Sequence, residues 1–291
     1  KLSPGFFKTR EEIRPLFESQ LQLCGVEYFD FYLMHAQNRN NFEKFKSCRA
    51  YETAFDLKRE GKVRHVGLSF HDTADILDKI LNTYPEIEVV QLQFNYADYE
   101  DGSVQSRKCL EVARAHGKPV IVMEPVKGGT LVKLPEEAAR VFDELNGGSY
   151  ASYAIRFAAS FDGIFMVLSG MGDMDMMESN IRTMDPFVPL TPQELAATDA
   201  VRGIIRQYNQ IPCTKCNYCA DVCPKHIPVS ALFAAYNEYA LARTTIAQTK
   251  QQLTAFDPTA GDCIACGACE RVCPQSIDIR QKLSMLEKLD D

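Results

Sequence analysis

No stretch of the sequence approaches about 18 uncharged apolar residues, the length a membrane-spanning helix requires. The best candidate, 150–171, is interrupted by Arg156 and Asp162, so a membrane span is excluded. Basic charge is also in short supply. Lys and Arg number 32 against 39 Asp and Glu, a net charge of −7 with no basic block, which argues against nucleic acid as the main partner. The opening KLSPGFFKTREE lacks the apolar core of a signal peptide, and Lys1 is not a methionine, so the sequence reads as the retained part of a longer chain. No Gly-x-Gly-x-x-Gly turn follows a strand candidate, Gly128-Gly129 being the nearest approach, which counts against an open dinucleotide-binding sheet.

What is present is a globular composition. Apolar residues make up 46% and charged residues 24% of 291, enough for one large domain and a small one. Over 1–190, short apolar strand candidates (28–35, 63–70, 88–95, 119–125 and 163–170) alternate with helical patterns expected around 43–60, 73–83, 103–117, 150–161 and 174–184. Runs rich in Val, Ile, Leu and Phe suit strands buried on both faces. Thr9 and Glu12 read as a capping box ahead of a helical face formed by Ile13, Leu16, Phe17 and Leu21. Strand after helix after strand implies a parallel sheet.

The strand candidates end on His35, Ser69, Asn95, Glu124 and Ser169-Gly170. Polar residues at five successive C-terminal strand ends favour the mouth of a (β/α)8 TIM barrel over an open sheet. About five of its eight units are accounted for; the other three, roughly 90 residues at about 30 per unit, are expected ahead of Lys1. Past residue 190 the pattern becomes helical. Thr191 and Glu194 form a second capping box with Pro192 at the first helical position, opening a helix to about Tyr208. Val229, Leu232, Phe233, Tyr236 and Ala240 predict mostly helix over 229–253, and Ile279, Leu283, Leu286 and Leu289 repeat the pattern. The expected domains are therefore 1–190, a barrel, and 191–291, a small and mainly α-helical domain.

Eight of the 11 cysteines fall in that second domain. Cys213, Cys216, Cys219 and Cys223-Pro224 are answered at the same spacing by Cys263, Cys266, Cys269 and Cys273-Pro274. This is the C-x2-C-x2-C-x3-C-P run of cubane iron–sulfur sites, in which the fourth cysteine serves the other cluster. One [4Fe–4S] cluster is thus expected on Cys213, Cys216, Cys219 and Cys273, and the other on Cys263, Cys266, Cys269 and Cys223. Zinc also takes four thiolates, but has no use for a third cysteine and a Cys-Pro in each run. Clustering of this kind does not suit the disulfides of an exported protein, so a reducing compartment, the cytoplasm, is expected. Cys24, Cys48 and Cys109 stand alone and read as small core hydrophobes.

The two runs resemble bacterial two-cluster ferredoxins, and the 39 residues between Cys223 and Cys263 resemble the α-helical variant. Over most of 1–190 the chain resembles the aldo-keto reductases, in particular the bacterial branch with a C-terminal iron–sulfur domain. The resemblance rests on KLSP at 1–4, DFYLMH at 30–35, GKVRHVGLS at 61–69, VQLQFN at 90–95, EPVKGG at 124–129, and Ser169-Gly170 followed by Asn180. In that family a hydride passes from a nicotinamide cofactor to a carbonyl while a tyrosine supplies the proton. A lysine lowers the tyrosine's pKa, an aspartate pairs with the lysine, and a histidine orients the carbonyl. Lys1 matches the lysine and His35 the histidine; the aspartate and tyrosine would precede Lys1. By the same resemblance, Ser69 and Gln91 bind the nicotinamide amide, and Gly170 and Asn180 line the adenosine end. Met123 replaces the tyrosine that many relatives stack on the nicotinamide, and Met176 the arginine that often holds a 2′-phosphate, so NAD(P)H is implied without a choice of form.

The function expected is that of an oxidoreductase. Its barrel would handle a small-molecule carbonyl or alcohol with NAD(P), coupled to a two-cluster electron relay and a redox protein partner such as a flavoprotein or ferredoxin. The alternatives are a ferredoxin-like electron carrier or docking subunit on a non-catalytic barrel scaffold, and clusters that act only as structural staples.

Overall fold

The computed structural model describes residues 1–289, and contacts divide them into two compact units. The first comprises Lys1–Pro125 and Ala154–Leu190; the second comprises Val126–Tyr153 and the chain from Thr191 onward.

The first unit is built on a five-stranded parallel sheet in sequential order: β1 (Phe29–Gln37), β2 (Val63–Phe70), β3 (Val89–Gln93), β4 (Val120–Met123) and β5 (Ile164–Val167). Each strand is a short β-branched or aromatic run. Each crossover carries helix, which is what parallel neighbours require. Leu2 adds an isolated parallel bridge to Met34 at the free side of β1. The sheet is strongly curled. β1 and β5 are its outermost strands, roughly 19 Å apart if it were flat, yet the rings of Phe31 and Phe165 lie 6.2 Å apart. Leu33, Val89 and Ile121 fill the concave face between them, with Phe31 packed against the group. Gly67 has to be glycine there, because a Cβ would stand 2.4 Å from the Val89 carbonyl oxygen. On the convex face Phe17, from helix Ile13–Cys24, meets Tyr32 edge-on at 4.9 Å.

The strand candidates all form, but not all are buried on both faces. β3 is wholly buried, whereas Phe165 and Met166 of β5 are exposed. The helices depart further from expectation. The region 43–60 is two helices, Phe42–Ser47 and Ala50–Arg59, because Arg49 takes a left-handed conformation at φ 51°. The expected box at Thr9 forms only by half: the Glu12 carboxylate accepts from the Thr9 amide and from that of Lys8, but no side chain caps the helix in return, and it begins at Ile13. Cys48 and Cys109 are buried as expected, but Cys24 is exposed at the end of its helix.

The second unit is helical. Thr191 and Glu194 close a reciprocal capping box ahead of Pro192–Ile205, which stops short of Tyr208. The segment 229–253 is broken between Val229–Ala240 and Ile246–Thr254, the second helix starting from its own box at Thr245 and Gln248. Helix Ile279–Glu287 closes the unit. Leu232, Phe233, Tyr236, Leu283 and Leu286 form its core, packed against Cys219 and Cys269. Three helices lie outside the expected segments: Glu136–Asp143, which buries Ala138 and Phe142, and Tyr218–Val222 and Ala268–Val272, each five residues long and too short to show a helical period. Among the described residues, no helix is long and apolar enough to cross a membrane.

Candidate functional site

The two cysteine runs fold into one repeated local shape. In the first, Lys215 and Asn217 take left-handed conformations at φ 60° and 63°, curling the loop so that Cys213, Cys216 and Cys219 face one point. In the second, Ala265 and Gly267 do the same at φ 55° and 72°. A five-residue helix follows each loop, and Cys223 or Cys273 then leaves in extended backbone ahead of its proline. The fourth cysteine of each run thereby reaches the opposite loop. One hollow is lined by Cys213, Cys216, Cys219 and Cys273, and another by Cys263, Cys266, Cys269 and Cys223. Val229 forms a wall of both. These are the two groups of four that the spacing predicts.

The donor set fits a cubane cluster. All eight sulfurs are free thiols. Burial pushes the thiols of Cys213, Cys269 and Cys273 up, and that of Cys219 up to about 11, with neighbouring thiols adding to the effect at all four. Four thiolates gathered in an apolar hollow need compensating positive charge, which iron supplies.

The first unit gathers a second set of groups at the C-terminal ends of its strands. The Leu2 amide donates to the Leu33 carbonyl and the His35 amide to the Leu2 carbonyl, both at 2.9 Å. That pairing holds Ser3 beside His35, with Ser3 Oγ 2.7 Å from His35 Nδ1. His35 is lowered to about 4 by burial first and then by the charge of Lys1. His71, just beyond β2, is also lowered to about 4, by burial and then by His35 and Lys1. Lys1 is exposed over much of its surface, yet enough protein surrounds its ammonium for burial to lower its pKa. Lys1, His35 and His71 therefore share one electrostatic neighbourhood. His71 was not anticipated from sequence; its place two residues after Ser69, on the same side of the chain, was the available signal.

Ser69 and Gln91 are register partners on β2 and β3, and both are buried. Ser69 Oγ accepts from the Ala36 amide at 2.9 Å. The side-chain oxygen Oε1 of Gln91 is buried with no hydrogen-bond partner among the described residues. An orphaned buried acceptor costs about 1–3 kcal/mol, and a primary carboxamide, which carries two N–H donors, would satisfy it. Beyond them Asp98 accepts from Gln93 at 2.7 Å and Asn95 at 2.8 Å, and Asn95 also donates to the Glu124 carbonyl at 3.0 Å. This network, also missed from sequence, ties the ends of β3 and β4 together. Past β5, Asn180 donates to Ser169 Oγ at 2.9 Å, so Asn180 and Gly170 lie in one neighbourhood with open space around Gly170. Met176, exposed on helix Met174–Met184, donates its amide to the Asp173 cap.

A curled parallel sheet with its polar groups at the C-terminal strand ends, followed by a pair of four-thiol hollows, defines a barrel-type reductase fold joined to an iron–sulfur module. Comparison with known proteins agrees. Residues 4–202 match the model of the aldo/keto reductase family and residues 212–277 that of a 4Fe-4S dicluster domain. The chain belongs to the aldo/keto reductase family and carries a 4Fe-4S dicluster domain. It is similar to the NADH-specific methylglyoxal reductase of Escherichia coli, 29% identical over 121 residues, which are 42% of this chain and 35% of that protein. The chain thus spans about a third of the length of that curated relative. Among solved structures it resembles an aldo-keto reductase from Bacillus halodurans, with a TM-score of 0.55 at 20% identity over 68% of this chain and 70% of the other. An aldo-keto reductase from Klebsiella pneumoniae in complex with NADPH gives 0.54 at 18% identity over 69% of this chain and 68% of the other.

Proposed function

We propose that the protein is an oxidoreductase that exchanges a hydride between NAD(P)H and a small-molecule carbonyl or alcohol and passes electrons singly through two [4Fe–4S] clusters. The observation that carries this reading is the pair of hollows, each lined by three cysteines of one run and the fourth of the other, in a chain of this family. Reduction of one carbonyl consumes the whole two-electron hydride, so the clusters serve the other half-reaction: two electrons from the redox partner, carried one per cluster, with a proton return NAD(P)+ to NAD(P)H. The nicotinamide, when bound, supplies the hydride. Gln91 offers its orphaned carbonyl oxygen to the carboxamide, beside Ser69 on the next strand. Lys1 and His35 stand at the carbonyl end, where the neutral imidazole of His35 orients the substrate oxygen. Gly170 and Asn180 line the adenosine end. Cys213, Cys216, Cys219 and Cys273 hold one cluster, and Cys263, Cys266, Cys269 and Cys223 the other.

Functionally the chain divides near residue 190 into barrel and cluster domains. The partner on the electron side is a one-electron or flavin-bearing redox protein, and eight free thiols suit a reducing compartment, the cytoplasm. The test is anaerobic reconstitution of the holoprotein, followed by carbonyl reduction with NADH and with NADPH. His35→Ala should lower kcat by about 100-fold or more, and Gln91→Met should weaken nucleotide binding about tenfold, with iron content unchanged in both. Unaltered turnover in His35→Ala would overturn the role given to His35, and absence of carbonyl turnover in the unsubstituted holoprotein would point instead to an electron carrier on a barrel scaffold.

A further inference from the structure

The geometry points to Ser3 as a positioning residue that holds His35 in the tautomer with its proton on Nε2. This rests on the oxidoreductase reading only for its kinetic consequence; the tautomer itself is a property of the side chains. Ser3 is placed by backbone: the Leu2–Met34 bridge and the two 2.9 Å bonds between Leu2 and β1 bring it alongside His35. The Ser3 hydroxyl opens the short turn Pro4–Phe6, yet makes no capping bond to it. Its one side-chain hydrogen bond among the described residues is to His35 Nδ1, at 2.7 Å.

A hydroxyl has a single proton to place and two lone pairs that water can serve. With Nδ1 as its protein partner, the hydroxyl donates, Nδ1 accepts, and the ring proton is left on Nε2. The lowered pKa of His35 keeps the ring neutral at physiological pH, so a hydroxyl donating to Nδ1 decides which neutral form is present. A ring protonated at Nε2 can donate to a carbonyl oxygen; the other tautomer presents a lone pair there and repels it. Ser3 thereby selects the form that can polarise a carbonyl, without touching substrate itself.

The test is the pattern of two-bond 1H–15N couplings of His35 in histidine-labelled, oxidised holoprotein, read beside kinetics. The expected result is the Nε2–H tautomer in the unsubstituted protein, a shift towards Nδ1–H in Ser3→Ala, and restoration in Ser3→Thr. In step with this, kcat should fall about tenfold in Ser3→Ala, with nucleotide KM unchanged, and recover in Ser3→Thr. An Nδ1–H ring in the unsubstituted protein, or the same Nε2–H pattern in Ser3→Ala, would overturn the assignment. Absence of carbonyl turnover in the unsubstituted protein would count against the oxidoreductase reading, and the ring pattern would then decide the serine's role by itself.

Discussion

Two imidazoles at the strand ends carry an energetic cost that depends on acidity. His35 and His71 are each lowered to about 4 in the fold, burial being the largest cause for both. Unfolded, they titrate near about 6.5. Between those values the unfolded chain binds more protons than the folded one, so stability falls as pH drops from about 6.5 towards 4 and is unaffected by these groups above 6.5. Urea midpoints measured at about pH 7.5 and 5 should therefore differ, and His35→Gln combined with His71→Gln should flatten the difference. A midpoint that is constant across that range in the unsubstituted protein would contradict the burial of the two rings. At the same scale, the orphaned side-chain oxygen of Gln91 weakens the folded state as long as no donor reaches it.

At the scale of single elements, the Gly128-Gly129 pair has a use that its sequence context did not reveal. Gly128 sits at φ +60°, and a Cβ there would stand 2.6 Å from the Thr214 carbonyl oxygen and 2.9 Å from its Cα. Thr214 follows Cys213, so this turn abuts the backbone of the first cysteine loop. Gly128→Ala combines a left-handed strain with a backbone clash, and should destabilise the second unit by about 1–3 kcal/mol. Iron analysis and EPR of the purified variant should show selective loss of the cluster bound by the Cys213 loop. Equal retention of both clusters would show that the loop yields without consequence.

For the whole molecule, the decisive feature is that neither cysteine run completes a site alone. Cys273 lines the hollow of the first run and Cys223 that of the second. Because Cys213 and Cys273 belong to one hollow, removing both should cost no more than removing one. Cys213→Ser with Cys273→Ser should lose a single cluster, about four iron atoms per chain, and keep the other cluster's EPR signal. Loss of both clusters, with the helical circular dichroism intact, would mean that each run serves itself. The crossed lining also couples the halves of the cluster domain, since Val229 lines both hollows and the core helices pack against Cys219 and Cys269.

The primary structure alone determined the parallel strands, the helical second domain and the grouping of eight cysteines. Each of these is set by local periodicity or by a spacing repeated in both cysteine runs, and such patterns are written residue by residue. Helix limits were less legible. Arg49 breaks a helix although nothing in an arginine demands it, and the box at Thr9 and Glu12 keeps only its carboxylate half. The curl that brings Phe31 to Phe165, the meeting of Ser3 with His35, the burial of His71 and the approach of Gly128 to Thr214 were decided only in the tertiary structure. They join residues 32 to 134 positions apart or depend on how densely a side chain is enclosed, and no pattern along the chain encodes either distance or enclosure.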